Sequence, residues 1–296
     1  MDKIIRCITS DGAIMASALD ASDICFTAQR LHKTSPAATA ALGRLLCAAS
    51  IMGNSLKQSK ATINLRVNGD GPIGSVLAVG DSKGNVRGYV TNPDCPTEYY
   101  NSKKINVSAA VGKEGTINVI RDYGAGDPYI GQVPLYSGEI AEDITNYYAT
   151  SEQIPTVCAL GVLIDKEDGQ VLLAGGLLIQ LLPGADETTI DKLEKNIETL
   201  EPVTTMLAKG MSILDICKTA LTGFEVEVLD ENPVNYVCTC SEKKIESYIA
   251  GLPDEEILAC AEELGYAEVN CHFCNKTYTF DKERLENIVK NKNKKM

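Results

Sequence analysis

The sequence predicts an α+β fold in three sections. They are an N-terminal mixed α/β domain with an antiparallel sheet over 1–180, a helical linker over 181–231, and a small C-terminal domain over 232–296. Three observations predict it. Up to about residue 180, apolar runs of strand period alternate with runs of helix period. After Pro183-Gly184 the apolar residues thin to narrow stripes at helical spacing. From about 233 onward, five of the eleven cysteines crowd into residues 238–274, among few large apolar side chains.

Ser35-Pro36 reads as a helix start, with Ser as N-cap and Pro in the first turn. Ala38, Leu42, Leu45, Leu46 and Ala49 then recur at helical spacing, and Gly53-Asn54 ends the run. In TINLRV, the residues Ile63, Leu65 and Val67 alternate, and NGDG makes a turn. PIGSVLAV and VRGYVT follow, so this stretch is an antiparallel meander. GTINVIRDY is a further strand, and SGEIAEDITNYYAT a helix from Ser137. CALGVLI and QVLLAGGLLIQLL flank the turn DKEDG and form a buried hairpin.

The linker opens with ADETTIDKLEKNIETLEP, an acidic helix with a stripe of Ile190, Leu193 and Ile197. A second helix covers about 203–209, a third runs from Ile213 under a Ser212 cap, and FEVEV alternates like a strand. These helices are too polar to form a core alone and need a partner surface on the first domain. In the last section, Ser241 and Asp254 cap short helices that stop at Gly251 and Gly265. AEVNC and KTYTF are short strands, Asp281 begins a terminal helix, and KNKNKKM is a frayed basic tail.

The 296 residues are 44% hydrophobic, enough for a sizeable core. A formal net charge of −12 repels phosphate and argues against nucleic acid as a partner. Trp is absent and Phe numbers four, so stacking platforms for single strands are scarce. MDKIIRCITSDGAIM has no apolar run of signal-peptide type. The apolar run 171–182 is too short to span a bilayer, so no membrane partner is expected. The expected location is the cytoplasm, where thiols are reduced and close cysteine pairs suggest metal or redox chemistry.

Those pairs are Cys238 and Cys240, in C-x-C spacing, and Cys271 and Cys274, in C-x-x-C spacing. Four thiolates suit tetrahedral zinc, and a unit of this size with few large apolar side chains needs a metal or disulfides to stay folded. Cys7, Cys25, Cys47, Cys95, Cys158 and Cys217 are scattered, with no histidine-based nucleophile arrangement around them, so no catalytic residue is assigned. Cys260, between Ile257 and Leu264, is expected on the buried face of its helix. His272 follows a ligand directly, and adjacent side chains diverge, so it is left out of the site. His32 reads as a solvated residue before the helix.

Each pair can also close on itself as a disulfide, and four cysteines allow three pairings. Nearest-neighbour pairing would close two tiny loops and lose the long-range tie that zinc supplies. A Cys240–Cys271 bridge would keep it.

Two other functions are weighed. A zinc-ribbon nucleic-acid module is disfavoured, because residues 232–281 carry three lysines and no arginine against nine acidic residues. A thiol–disulfide oxidoreductase would use Cys271 and Cys274 but lacks a thioredoxin-like βαβ context. GDGPIG lies between two strands rather than before a helix, so it is a turn and not a phosphate loop.

CTCSEKK and CHFCNKTYTF, together with VNGDGPIGSVLAVGDSKGNVRGYV, AGGLLIQLLPGA and the segment from EPVTTMLAKG to FEVEVL, closely resemble the 33 kDa chaperonin family of bacterial redox-regulated heat-shock chaperones. The resemblance implies a zinc-bound, reduced, inactive form. It also implies an oxidised form that holds unfolding client proteins without ATP under oxidative stress, and is not an enzyme. It maps zinc and redox roles onto Cys238, Cys240, Cys271 and Cys274, pairs them as nearest neighbours, and implies a homodimer on oxidation. Cys260 is an additional thiol outside the four.

Overall fold

Residues 1–102 and 104–293 are described by a computed structural model. The chain opens with β1 (Lys3–Thr9) and β2 (Ile14–Asp20), then α1 (Ser22–His32) and α2 (Pro36–Asn54). A meander follows, of β3 (Thr62–Gly69), β4 (Ser75–Asp81) and β5 (Val86–Val90), and after it a short α3 (Val107–Val111). β6 (Gly115–Asp122) and β7 (Tyr129–Pro134) lead to α4 (Ala141–Tyr147), which runs on as a π-helical turn over Tyr148–Glu152. The hairpin β8 (Thr156–Ile164) and β9 (Val171–Leu181) precedes α5 (Glu187–Glu198), α6 (Val203–Ala208), α7 (Ile213–Ala220) and β10 (Val226–Pro233). The last elements are α8 (Glu242–Ile249), α9 (Asp254–Glu263), β11 (Tyr266–Asn270), β12 (Thr277–Asp281) and α10 (Lys282–Asn293). The fold class is α+β, as the sequence predicts.

The chain divides into two compact units, Met1–Val237 and Cys238–Met296. In the first, one antiparallel sheet has the order β10-β1-β2-β9-β8 and the other β5-β4-β3-β6-β7. α2 lies between them, packed on β4 and β5 of one sheet and on β8 and β9 of the other. Ser35 caps it, its side chain accepting from the Ala38 amide at 3.4 Å. The helix is buried on every side, not along one stripe, and its alanines and glycines let both sheets approach closely. Among the described residues, α2 is also the one helix long and apolar enough to cross a membrane, but 94% of that window is buried inside the fold.

The three linker helices form as predicted and find their partner surface on the first sheet. Leu193, Met206, Ile216 and Cys217 share one buried cluster with Ile5, Cys7, Ile14 and Ile179. The first sheet is therefore sandwiched, with α2 on one face and α5–α7 on the other.

Several local expectations are corrected. The helix expected from Ser137 starts at Ala141, because the buried Asp143 carboxylate takes the amides of Tyr136, Ser137, Gly138 and Ile140 at 2.7–3.2 Å. His32 is not a solvated pre-helix residue. It ends α1, half-buried, with Nε2 3.2 Å from the Tyr236 hydroxyl. Asp254 opens α9 instead of capping it. The strand expected at 224–228 continues to Pro233, held to β1 by the ion pairs Arg6–Asp230 and, at 2.7 Å, Lys3–Glu231. Of the basic tail, residues 290–293 close α10, and 294–296 lie outside the described residues.

Candidate metal centre

The second unit brings the two cysteine pairs together. β11 and β12 pair antiparallel up to Asn270 and Thr277, which leaves residues 271–276 as the hairpin loop. Inside it the Cys271 amide donates to the Lys276 carbonyl at 3.0 Å, and the Asn275 amide to the Cys271 carbonyl at 2.8 Å. Asn275 takes up the left-handed conformation, φ 56°, that this tight return needs. Cys271 and Cys274 thus stand on one knuckle. Cys238 and Cys240 come from the segment just before α8, whose start Ser241 caps.

The four Sγ atoms all lie within 4.8 Å of one another. Cys238 Sγ is 3.6 Å from Cys271 Sγ, and Cys240 Sγ is 3.4 Å from Cys274 Sγ. Zinc–sulfur bonds of about 2.3 Å in a tetrahedron put sulfurs about 3.8 Å apart, so the donor set and its spacing fit a four-thiolate zinc site. The backbone amides of Cys240 and Lys276 favour the thiolate forms of Cys238 and Cys274. His272 is exposed and outside the group of four.

Burial pushes the Cys238 thiol well up and that of Cys274 up as well. Cys240 goes the other way. Burial opposes its ionisation, but the Tyr278 hydroxyl, 3.1 Å away, and the neighbouring thiols hydrogen-bond its sulfur and lower it to about 7. Tyr278 itself is pushed up, chiefly by that bond to Cys240. Tyr278 was missed in the sequence. Its signal was there: in KTYTF the alternation turns Tyr278 and Phe280 to the same, buried side.

The core behind the site is small. Ile245, Ile249, Ile257, Tyr278, Phe280, Leu285 and Ile288 are its larger members, and Cys271 belongs to it. Cys260 does not. The expectation that it packs on the buried face is wrong: it is exposed, as is Leu264 at 66%. α9 meets this core along Ile257 and Ala261 only, since so small a unit has no room to bury a full stripe.

A family model described as Hsp33 protein matches residues 2–281. The chain is 45% identical over 289 residues to a 33 kDa chaperonin of Clostridioides difficile, covering 98% of this chain and 99% of that one. It is equally identical to a 33 kDa chaperonin of Acetivibrio thermocellus, over 98% and 97% of the two chains. The crystal structure of the 33 kDa chaperonin homologue from Thermotoga maritima superposes with a TM-score of 0.90 at 32% identity, over 99% of each chain. Family model, relatives and solved structure agree over nearly the whole chain, and the chain belongs to the Hsp33 family of chaperones.

Proposed function

We propose that this protein is an ATP-independent holdase of the cytoplasm, inactive when reduced and switched on by oxidation of Cys238, Cys240, Cys271 and Cys274. The observation that carries the reading is the convergence of those four sulfurs within 4.8 Å in a member of a chaperone family. Zinc bound there ties two chain segments together and keeps the thiols as thiolates, the form that peroxide attacks. Forming two disulfides removes all four ligands, and the second unit then loses the tie that its small core needs. Residues 1–180 act as the chaperone core, 181–231 as a linker that covers it, and 232–296 as the redox switch. The clients are unfolding proteins, whose apolar segments suit the sheet face under α5–α7. The oxidised protein is a homodimer, and no enzymatic step is involved.

The test is zinc content and suppression of client aggregation, measured on one sample before and after peroxide. The expected result is one zinc per chain with weak suppression at first, then zinc release with strong suppression. Strong suppression by the reduced, zinc-loaded protein would overturn the reading.

Truncation separates the switch from the cover. A chain ending at Glu231 loses the end of β10 and the buried Val234, whose amide donates to the Asp2 carbonyl at 3.1 Å. It also loses Tyr236, which accepts from the Gly88 amide and donates to the Gly88 carbonyl. We expect that chain to suppress aggregation with all thiols reduced, and a chain ending at Val237 to do so less. If the shorter chain is soluble and inactive in both redox states, the covering role is wrong.

A further inference from the structure

We infer that Gly161 and Gly175 form a socket that seats α6, and that the fit of this socket sets how tightly the linker covers the sheet. The inference rests on the reading of α5–α7 as a cover. It begins with two glycines where a strand should have side chains. Gly161 of β8 and Gly175 of β9 are direct partners across the ladder. Neither has a positive φ, so backbone freedom does not explain them. Glycine weakens a strand interior, and close approach of another element is the remaining reason to keep it.

That element is α6. A Cβ built on Gly161 would stand 2.8 Å from Thr204 Cγ2, 3.4 Å from its Oγ1 and 3.6 Å from its Cβ. A Cβ on Gly175 would stand 2.9 Å from Leu207 Cδ1 and 3.2 Å from Val203 Cγ1. Carbon atoms in good contact sit about 3.5–4.0 Å apart, so the helix fills the position over Gly161, while at Gly175 it shares that space with the Leu19 carbonyl of β2, 2.5 Å from such a Cβ. Gly176, one residue on, faces the other way and meets Ile51 of α2 and Leu160.

α6 depends on this seat. It has six residues and no side-chain cap at its N-terminus, too little to be stable alone. Thr204 has little freedom to turn aside, because a branched Cβ restricts χ1 within a helix. An added methyl at Gly161 must therefore lift the helix, and α6 is the middle of the three cover helices. Cys7 on β1 and Cys217 on α7 report the lift. Both are fully buried and belong to the one cluster that lies between the sheet and the cover.

The test uses the full chain, reduced and zinc-loaded, with Gly161→Ala. Gly175 is left alone, since a Cβ there also meets the Leu19 carbonyl of the adjacent strand. Alkylation of Cys7 and Cys217 by a maleimide, mapped by mass spectrometry, should quicken roughly tenfold, the size expected of a modest overpacking strain. Zinc content should not change. Adding Thr204→Ala, which removes the two atoms nearest the new methyl, should bring the rate back to that of the parent. An unchanged rate in Gly161→Ala overturns the socket, and so does a quickened rate that Thr204→Ala does not reverse. Equal quickening at the core thiols Cys25 and Cys47 overturns it too, because the substitution then loosens the whole unit. A reversible rise in labelling with no gain in aggregation suppression leaves the socket standing and sinks the reading of the covered face as the client site.

Discussion

The Cys274→Ser protein will hold little zinc, and residues from Cys238 onward will lose their hydrogen-exchange protection. Cys260→Ser will keep both. The size of the first effect follows from what else holds the second unit together. Its core has Tyr278, Phe280 and a handful of aliphatic side chains, and Ile245 and Ile249 reach it from a helix of only eight residues. Arg284 pairs with Glu242 and Glu246 and lies over Phe280 at 4.8 Å, but these pairs are largely exposed and contribute little. A four-thiolate zinc site contributes on the order of 10–16 kcal/mol to folding a small domain, more than such a core supplies. Serine is a poor zinc ligand at neutral pH, so one substitution removes a quarter of the coordination and one of the two anchors of the 271–276 loop. Cys260 is exposed and outside the group of four sulfurs, so its replacement touches neither. Zinc analysis and hydrogen exchange on the two variants check the pair of outcomes. Full zinc retention in Cys274→Ser would sink the assignment.

The site was more legible in the sequence than much of the fold, and particular residues show why. Metal chemistry needs ligands at short, fixed spacings, and C-x-C with C-x-x-C states those spacings outright. The hairpin around DKEDG and the cap of α7 at Ser212 were legible for the same reason, because local chemistry alone determines them. β1 and β2 were not legible. Their sheet is covered on both faces, so buried residues run on without alternation, as in Ile4-Ile5 and Ala16 to Leu19. α1 carries no capping residue of its own. Its first amide, from Ser22, donates to the Asp20 carboxylate at 3.1 Å, and the next two, from Asp23 and Ile24, donate to the buried Asp2 carboxylate at 3.0 and 2.7 Å. The part of that cap contributed by Asp2, some twenty residues away, leaves no local signal. The end of β10 reads Asp-Glu-Asn-Pro, a turn composition. It pairs as a strand with β1, where Arg6 sits opposite Asp230 and Lys3, opposite Pro233, reaches diagonally to Glu231.

Peroxide will leave the protein with Cys238–Cys240 and Cys271–Cys274 disulfides, no zinc, and a second unit open to exchange from about Cys238. The folded site does not by itself select this pairing, since close sulfur contacts run across it, from Cys238 to Cys271 at 3.6 Å and from Cys240 to Cys274 at 3.4 Å. Chain connectivity selects it. Once the unit loosens, sulfurs more than thirty residues apart must pay loop-closure entropy to meet, while those two or three residues apart stay within reach. Each bridge consumes one peroxide, whose oxygens leave as water while two thiols become one disulfide. The consequence lies in what the bridges restrain. A cross bridge would keep the tie and the fold, whereas a bridge between near neighbours closes a tiny ring and restrains almost nothing. Mild heat should speed activation by opening the marginal unit, and thiols with zinc should reverse it. Peptide mapping and hydrogen exchange on the same oxidised sample decide the matter. A Cys238–Cys271 or Cys240–Cys271 bridge, or an active state with 238–281 still protected, would mean that oxidation acts without unfolding this unit.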